Sequence, residues 1–153
     1  GASFTTLTDT RDAFLHLART AKKRLVIMTP YIDRAGAEWA CDLFEATTAE
    51  QKILVLRGAH QLGSCGAAGS TLQDCATRIL DYALVHRTDD GSEHLETFHA
   101  KVVLADGVAA YVGSANLLYR PREAHLECGF LLEGDAVAPV AVLLEAVFSV
   151  FES

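Results

Sequence analysis

Proline and methionine are scarce in this chain of 153 residues, at three and one, and its apolar residues nowhere run long. No stretch reaches the roughly 20 apolar residues that a bilayer crossing needs, so no stable membrane insertion is expected. The start, Gly1-Ala2-Ser3-Phe4-Thr5, lacks the basic region and apolar run of a secretory signal. A cytoplasmic location is the resulting expectation. With no Met ahead of it, Gly1-Ala2-Ser3 reads as a cloning remnant, which leaves room for a longer natural chain. The four cysteines, Cys41, Cys65, Cys75 and Cys128, are scattered without CxxC spacing. That excludes a zinc-ribbon reading and predicts reduced, mostly buried thiols. Positive charge is also short: 13 Lys and Arg face 20 Asp and Glu, for a net charge of -7. A chain of this balance has no basic coat and repels nucleic acid overall. There is no GKS or GKT, so the glycine-bearing stretch 57–70 is not a Walker loop.

What is present suits one domain covering residues 1–153, since half of the residues are apolar and the length matches a single core. Phe14, Leu17, Ala18 and Ala21 recur at helical spacing, with Thr8 or Asp9 to cap and Lys22, Lys23 and Arg24 at the end, predicting a helix over 9–23. Leu25-Val26-Ile27-Met28, stopped by Pro30, reads as a central strand buried on both faces. Trp39, Leu43 and Phe44 mark a second helix, Lys52 to Leu56 a second strand, and Leu72, Cys75, Ala76 and Ile79 a third helix. Ala83 to His86 adds a further candidate strand. The segment Ala136 to Phe151, with Asp135 as cap and Pro139 in its first turn, is apolar nearly all round and needs cover on more than one side. Helices interleaved with strands predict the α/β class: a mixed β-sheet with helices on both faces.

One run carries chemistry. His99-Ala100-Lys101 is followed by Asp106, then by Gly113-Ser114-Ala115-Asn116, which reads HxK(x)4D(x)6GSxN. Six identities at fixed spacing arise by chance on the order of once in 10^8 start positions. Thr97 to Ala105 reads as a strand, on which His99, Lys101 and Val103 share a face. Asp106-Gly107 is a hairpin signal that returns the chain as Ala109 to Leu117, bringing Ser114 and Asn116 beside the first strand. A third stretch, Leu126 to Leu132, puts Glu127 on one face, from which a carboxylate can reach the imidazole. An imidazole, a fixed cation, a hydroxyl and an amide, with no obvious metal ligands, suit a phosphate ester.

The run resembles the signature of the phospholipase D superfamily. The resemblance implies a phospholipase D-like fold, a covalent phosphohistidine on His99, phosphate binding by Lys101 and Asn116, and assistance from Ser114. It also implies that Asp106 is structural, a turn and packing residue, and that no metal or other cofactor takes part. Glu127 fits the family's downstream Glu, which holds the nucleophilic His in its tautomer, although His125 stands where Asn is usual. Gly113 belongs to the same structural motif.

Enzymes of this superfamily need two His, and only one HxK is present. Two explanations stay open: a homodimer that builds one site across its two-fold axis, or a fragment whose other half lies elsewhere. The homodimer leads, because small bacterial endonucleases of the family are similarly short. Arg57 and His60, in a loop after a strand, and Arg120 are candidates to contact substrate, with Arg87 and Arg122 as further basic positions. A groove lined by paired copies of these residues can be locally positive despite the net charge. A nuclease is therefore ranked above a lipid phosphodiesterase, for which no basic amphipathic helix is evident. A different class remains beside both: a nucleic-acid-binding or sensing module of a larger assembly, such as a bacterial defence or restriction complex.

Overall fold

A computed structural model describes residues 9–114 and 128–152. Its first half alternates helix and strand: α1 (Thr10–Thr20), β1 (Arg24–Thr29), α2 (Arg34–Ala46), β2 (Gln51–Leu56), the short α3 (Gln61–Ser64), α4 (Ala67–Cys75) and β3 (Arg78–Asp81). The second half is mostly strand: β4 (Leu84–Arg87), β5 (Glu93–Glu96), β6 (Lys101–Ala105), β7 (Ala109–Gly113) and β8 (Gly129–Glu133), then a 3₁₀ turn and α5 (Ala138–Ser149). Asp9 caps α1 by accepting from the Arg11 amide, and Asp33 caps α2 by accepting from Gly36.

Six strands form one sheet in the order β3-β2-β1-β6-β7-β8. The first three are parallel, as helical crossovers require, and β6, β7 and β8 join antiparallel. β1 is the seam, with Ile27 paired to Leu54 on one side and to Val103 on the other. Its side chains alternate between two cores, as the apolar run predicts. Leu25 and Ile27 join Phe14, Leu17, Leu43, Phe44 and Leu72 under α1, α2 and α4. Val26 and Met28 join Leu104, Ala110, Leu144, Val147 and Phe148 under α5. The molecule is thus α/β, a mixed sheet with helices on both faces. Each fully buried Leu or Phe contributes up to about 1.5–3 kcal/mol.

Several boundaries differ from the sequence reading, each for a physical reason. The helix expected to include Ile79 ends at Cys75, because Thr77 bonds to the Lys52 backbone through both its hydroxyl and its amide and turns Ile79 into β3. The stretch 57–70, read as a Gly/Ser-rich loop, holds all of α3 and the start of α4. The strand expected from Thr97 starts only at Lys101, so His99 precedes it. The strand expected at Ala83–His86 forms as β4, but in a separate exposed hairpin with β5. Residues 136–137 form a 3₁₀ turn rather than the start of the last helix. α5 buries one face only, leaving Val142 and Leu143 exposed, as is Phe130 on β8. Among the described residues, no helix is long and apolar enough to cross a membrane.

Candidate active site

The carboxyl ends of β1, β2 and β3 lie at one edge of the sheet, and the antiparallel pairing brings the start of β6 and the end of β7 to the same edge. In open α/β sheets that edge is where ligands bind. Lys101, the first residue of β6, is 5% exposed, yet its ammonium lies 2.8 Å from Nδ1 and 3.4 Å from Nε2 of His99. A buried ammonium needs an acceptor, and a ring nitrogen that accepts must be unprotonated. The His99 ring itself is exposed, so it is open to a ligand while the ammonium beside it is held in the sheet.

Gly113 lies opposite Lys101 on β7 and opposite Gly129 on β8. Both glycines are there because the Tyr111 ring fills their side-chain space. A Cβ on Gly113 would meet the Tyr111 hydroxyl at 2.4 Å, and one on Gly129 would meet the ring at 2.3 Å. Ser114 then closes the edge: its Oγ accepts from the Cys128 amide at 2.9 Å, and its own amide donates to the Cys128 carbonyl at 2.9 Å. The hydroxyl thus stitches the end of β7 to the start of β8.

Asp106 is at the other end of β6, roughly 16 Å from Lys101 at the usual rise of a strand. Its Oδ2 accepts from the Lys22 amide at 2.7 Å, and its Oδ1 from the amides of Lys23 and Arg24 at 2.9 and 2.7 Å. Three donors on one carboxylate turn the chain out of α1 and into β1. Burial by itself pushes Asp106 up, but the amides of Arg24, Lys22 and Lys23 and the charge of Lys23 together outweigh it. Its carboxyl lies below the usual range. With φ of 52° it occupies a left-handed position that Asp and Asn tolerate.

Of the loop candidates, Arg57 reaches the site and His60 does not. Arg57 Nη1 donates to the Tyr31 hydroxyl at 3.0 Å, and the Tyr31 ring stands edge-on to the His99 imidazole at 6.3 Å. The His60 ring folds back over Gly58, where a Cβ would meet it at 2.6 Å. Asn116, Arg120, Arg122, His125 and Glu127 lie outside the described residues. Tyr31 was not legible as a site residue. Its signal is an aromatic one step past the Pro30 that ends a parallel strand.

Upstream of His99, the exposed hairpin is tied to the body by Glu96, which accepts from the Tyr82 hydroxyl at 2.5 Å and pairs with His86 Nε2 at 2.8 Å. The Tyr82 hydroxyl first, then His86, holds the Glu96 carboxyl below its usual range, and the same contact raises Tyr82. Among the described residues no group of three His, Cys, Asp or Glu is placed to hold a metal ion.

The chain matches a family model described as the PLD-like domain of cardiolipin synthase over residues 14–149. No curated protein matches it.

Proposed function

This chain belongs to the phospholipase D superfamily, whose function is of the phosphodiesterase type, and from that premise we propose that it is an endonuclease with one active site shared across a homodimer. The observation that carries this reading is the Lys101 ammonium 2.8 Å from the His99 ring, at the ligand-binding edge of the sheet.

In the proposed reaction a phosphodiester draws the Lys101 ammonium from Nδ1 of His99 to a phosphate oxygen. The ring's single proton then shifts from Nε2 to Nδ1, which donates it as a hydrogen bond to Glu127 and leaves the Nε2 lone pair free. Nε2 attacks phosphorus, a nitrogen–phosphorus bond forms, and the phosphorus–oxygen bond to the leaving group breaks. The leaving oxygen takes its proton from the imidazolium of His99 of the second protomer, which is left as a neutral imidazole. Water, deprotonated by that second His, then attacks phosphorus and releases the first. Lys101 and Asn116 offset the charge that builds on the phosphate oxygens, while Ser114 holds the β7 edge in place.

The test is cleavage of labelled single- and double-stranded DNA and RNA in excess EDTA, with His99→Ala beside the parent. Cleavage that survives chelation and disappears in His99→Ala supports the reading. Equal cleavage by both proteins would sink it. A shared site adds a second expectation: mixing the parent with equal His99→Ala should drop the specific activity below half, because mixed dimers lack one of the two His.

A lipid phosphodiesterase is the second reading. Two observations favour it: the matching family description names a lipid enzyme, and Phe130, Val142 and Leu143 expose apolar surface. Phosphatidic acid formed from cardiolipin or phosphatidylglycerol vesicles, with nucleic acids left intact, would replace the nuclease by this alternative.

A further inference from the structure

Tyr31 and Arg57 stand beside His99 and have no part in the reaction above. Tyr31 is 40% exposed and Arg57 half-buried, one after β1 and the other directly after β2. The guanidinium carbon lies 5.8 Å from the Tyr31 ring centre, and Nη1 is bonded to the phenol oxygen. Arg24, Arg34 and Arg87 are each held by a glutamate, whereas no salt bridge is formed by Arg57 among the described residues. Asp81, at the end of the adjacent β3, is engaged instead with the Ala59 amide at 3.0 Å. Among the described residues Arg57 is thus a cation fixed by a neutral partner, with no carboxylate paired to it and part of its side-chain freedom already lost.

We propose that Arg57, held by Tyr31, is a second anion subsite that binds the phosphate next to the one attacked, so that the enzyme selects a chain of phosphodiesters over an isolated one. The proposal rests on the phosphodiesterase reading with His99 at its centre. A guanidinium offers a phosphate two parallel donors, a geometry that an ammonium lacks. A polynucleotide strand presents a negative charge every few ångströms, so a phosphate seated at His99 places its neighbours within reach of the adjoining wall. The Tyr31 ring borders both the guanidinium and the imidazole, and its hydroxyl, which accepts from Arg57, has its own proton left to donate to the same anion.

The experiment compares kcat/KM on a short single-stranded oligonucleotide with that on bis(p-nitrophenyl) phosphate, which has a single phosphate. For Arg57→Gln the ratio of the two should fall about tenfold, mainly through KM for the oligonucleotide. Tyr31→Phe, which keeps the ring but frees Arg57, should move the ratio the same way by less, and Arg57→Lys should restore part of it. Binding supplies an independent readout. In fluorescence anisotropy with the labelled oligonucleotide, the slope of log affinity against log salt should fall by about one in Arg57→Gln. Equal losses on both substrates would overturn the proposal and make the pair a support for His99. An unchanged ratio with an unchanged salt slope would also overturn it. If the parent cleaves neither substrate, the reaction reading fails on its own and the salt slope alone decides the subsite.

Discussion

The two ends of β6 come from one motif and are loaded in opposite ways. At its start an ammonium is buried against the His99 ring, and taking such a charge out of water carries a desolvation cost. At its end a carboxylate is satisfied by three backbone amides and ties the turn after β6 to the entry of β1. A single fixed spacing therefore records two kinds of constraint. In the proposed reaction one end serves the chemistry, and the other serves the fold with no reach to the site.

The largest expected effect is at the first end. His99→Ala should lower the cleavage rate by roughly 10^3-fold or more, while its melting temperature stays close to the parent's because the side chain is exposed. A rate measured in single turnover, beside a thermal melt, checks both. Lys101→Met comes next. It should cost about 10^2-fold in rate, yet leave stability unchanged or raised, since an apolar side chain of similar length replaces a buried ammonium. A Lys101→Met protein that keeps the parent's rate would break the chemical half of the comparison.

At the second end the signs reverse. Asp106→Asn keeps a residue tolerant of positive φ but replaces a carboxylate oxygen by an amide NH2 that faces backbone donors. It should destabilise the fold by about 2 kcal/mol in urea titration at fixed protein concentration, with the rate per folded molecule retained. A rate loss as large as that of Lys101→Met, without loss of stability, would show that the two ends are not separable.

The difference between the ends also explains what was legible. The six motif residues stand at fixed spacing in one short stretch, so the strand, the hairpin at Asp106-Gly107 and the nearness of His99 to Lys101 follow from local rules. β1 was legible because an apolar run before Pro30 has few alternatives. Tyr31 was not, because its meeting with His99 depends on β1 pairing with β6 across more than 70 residues of chain. β3 was hidden by Ile79, which continues the helical stripe of α4 until Thr77 breaks it. The β4–β5 hairpin contains Asp90-Gly91, the same pair that marks the β6–β7 turn. There the signal is masked, because His86, Arg87, Glu93 and His94 give no apolar alternation to frame it.

The smallest effect, and the sharpest check on the Asp106 end, is in acid. The folded carboxyl lies below its unfolded value, so its contribution is complete above the unfolded pKa, about 4, and is lost as pH falls through the folded one. Above that window protonation contributes nothing, and the parent and Asp106→Asn should differ by a constant amount. Below it the parent's carboxyl takes up a proton on unfolding while Asn takes up none, so the two stability curves should converge as pH falls. Urea midpoints measured from pH 6 downward would show the gap closing. A gap that stays constant through the acid range would mean that the three amides hold the side chain by geometry alone and draw nothing from its charge.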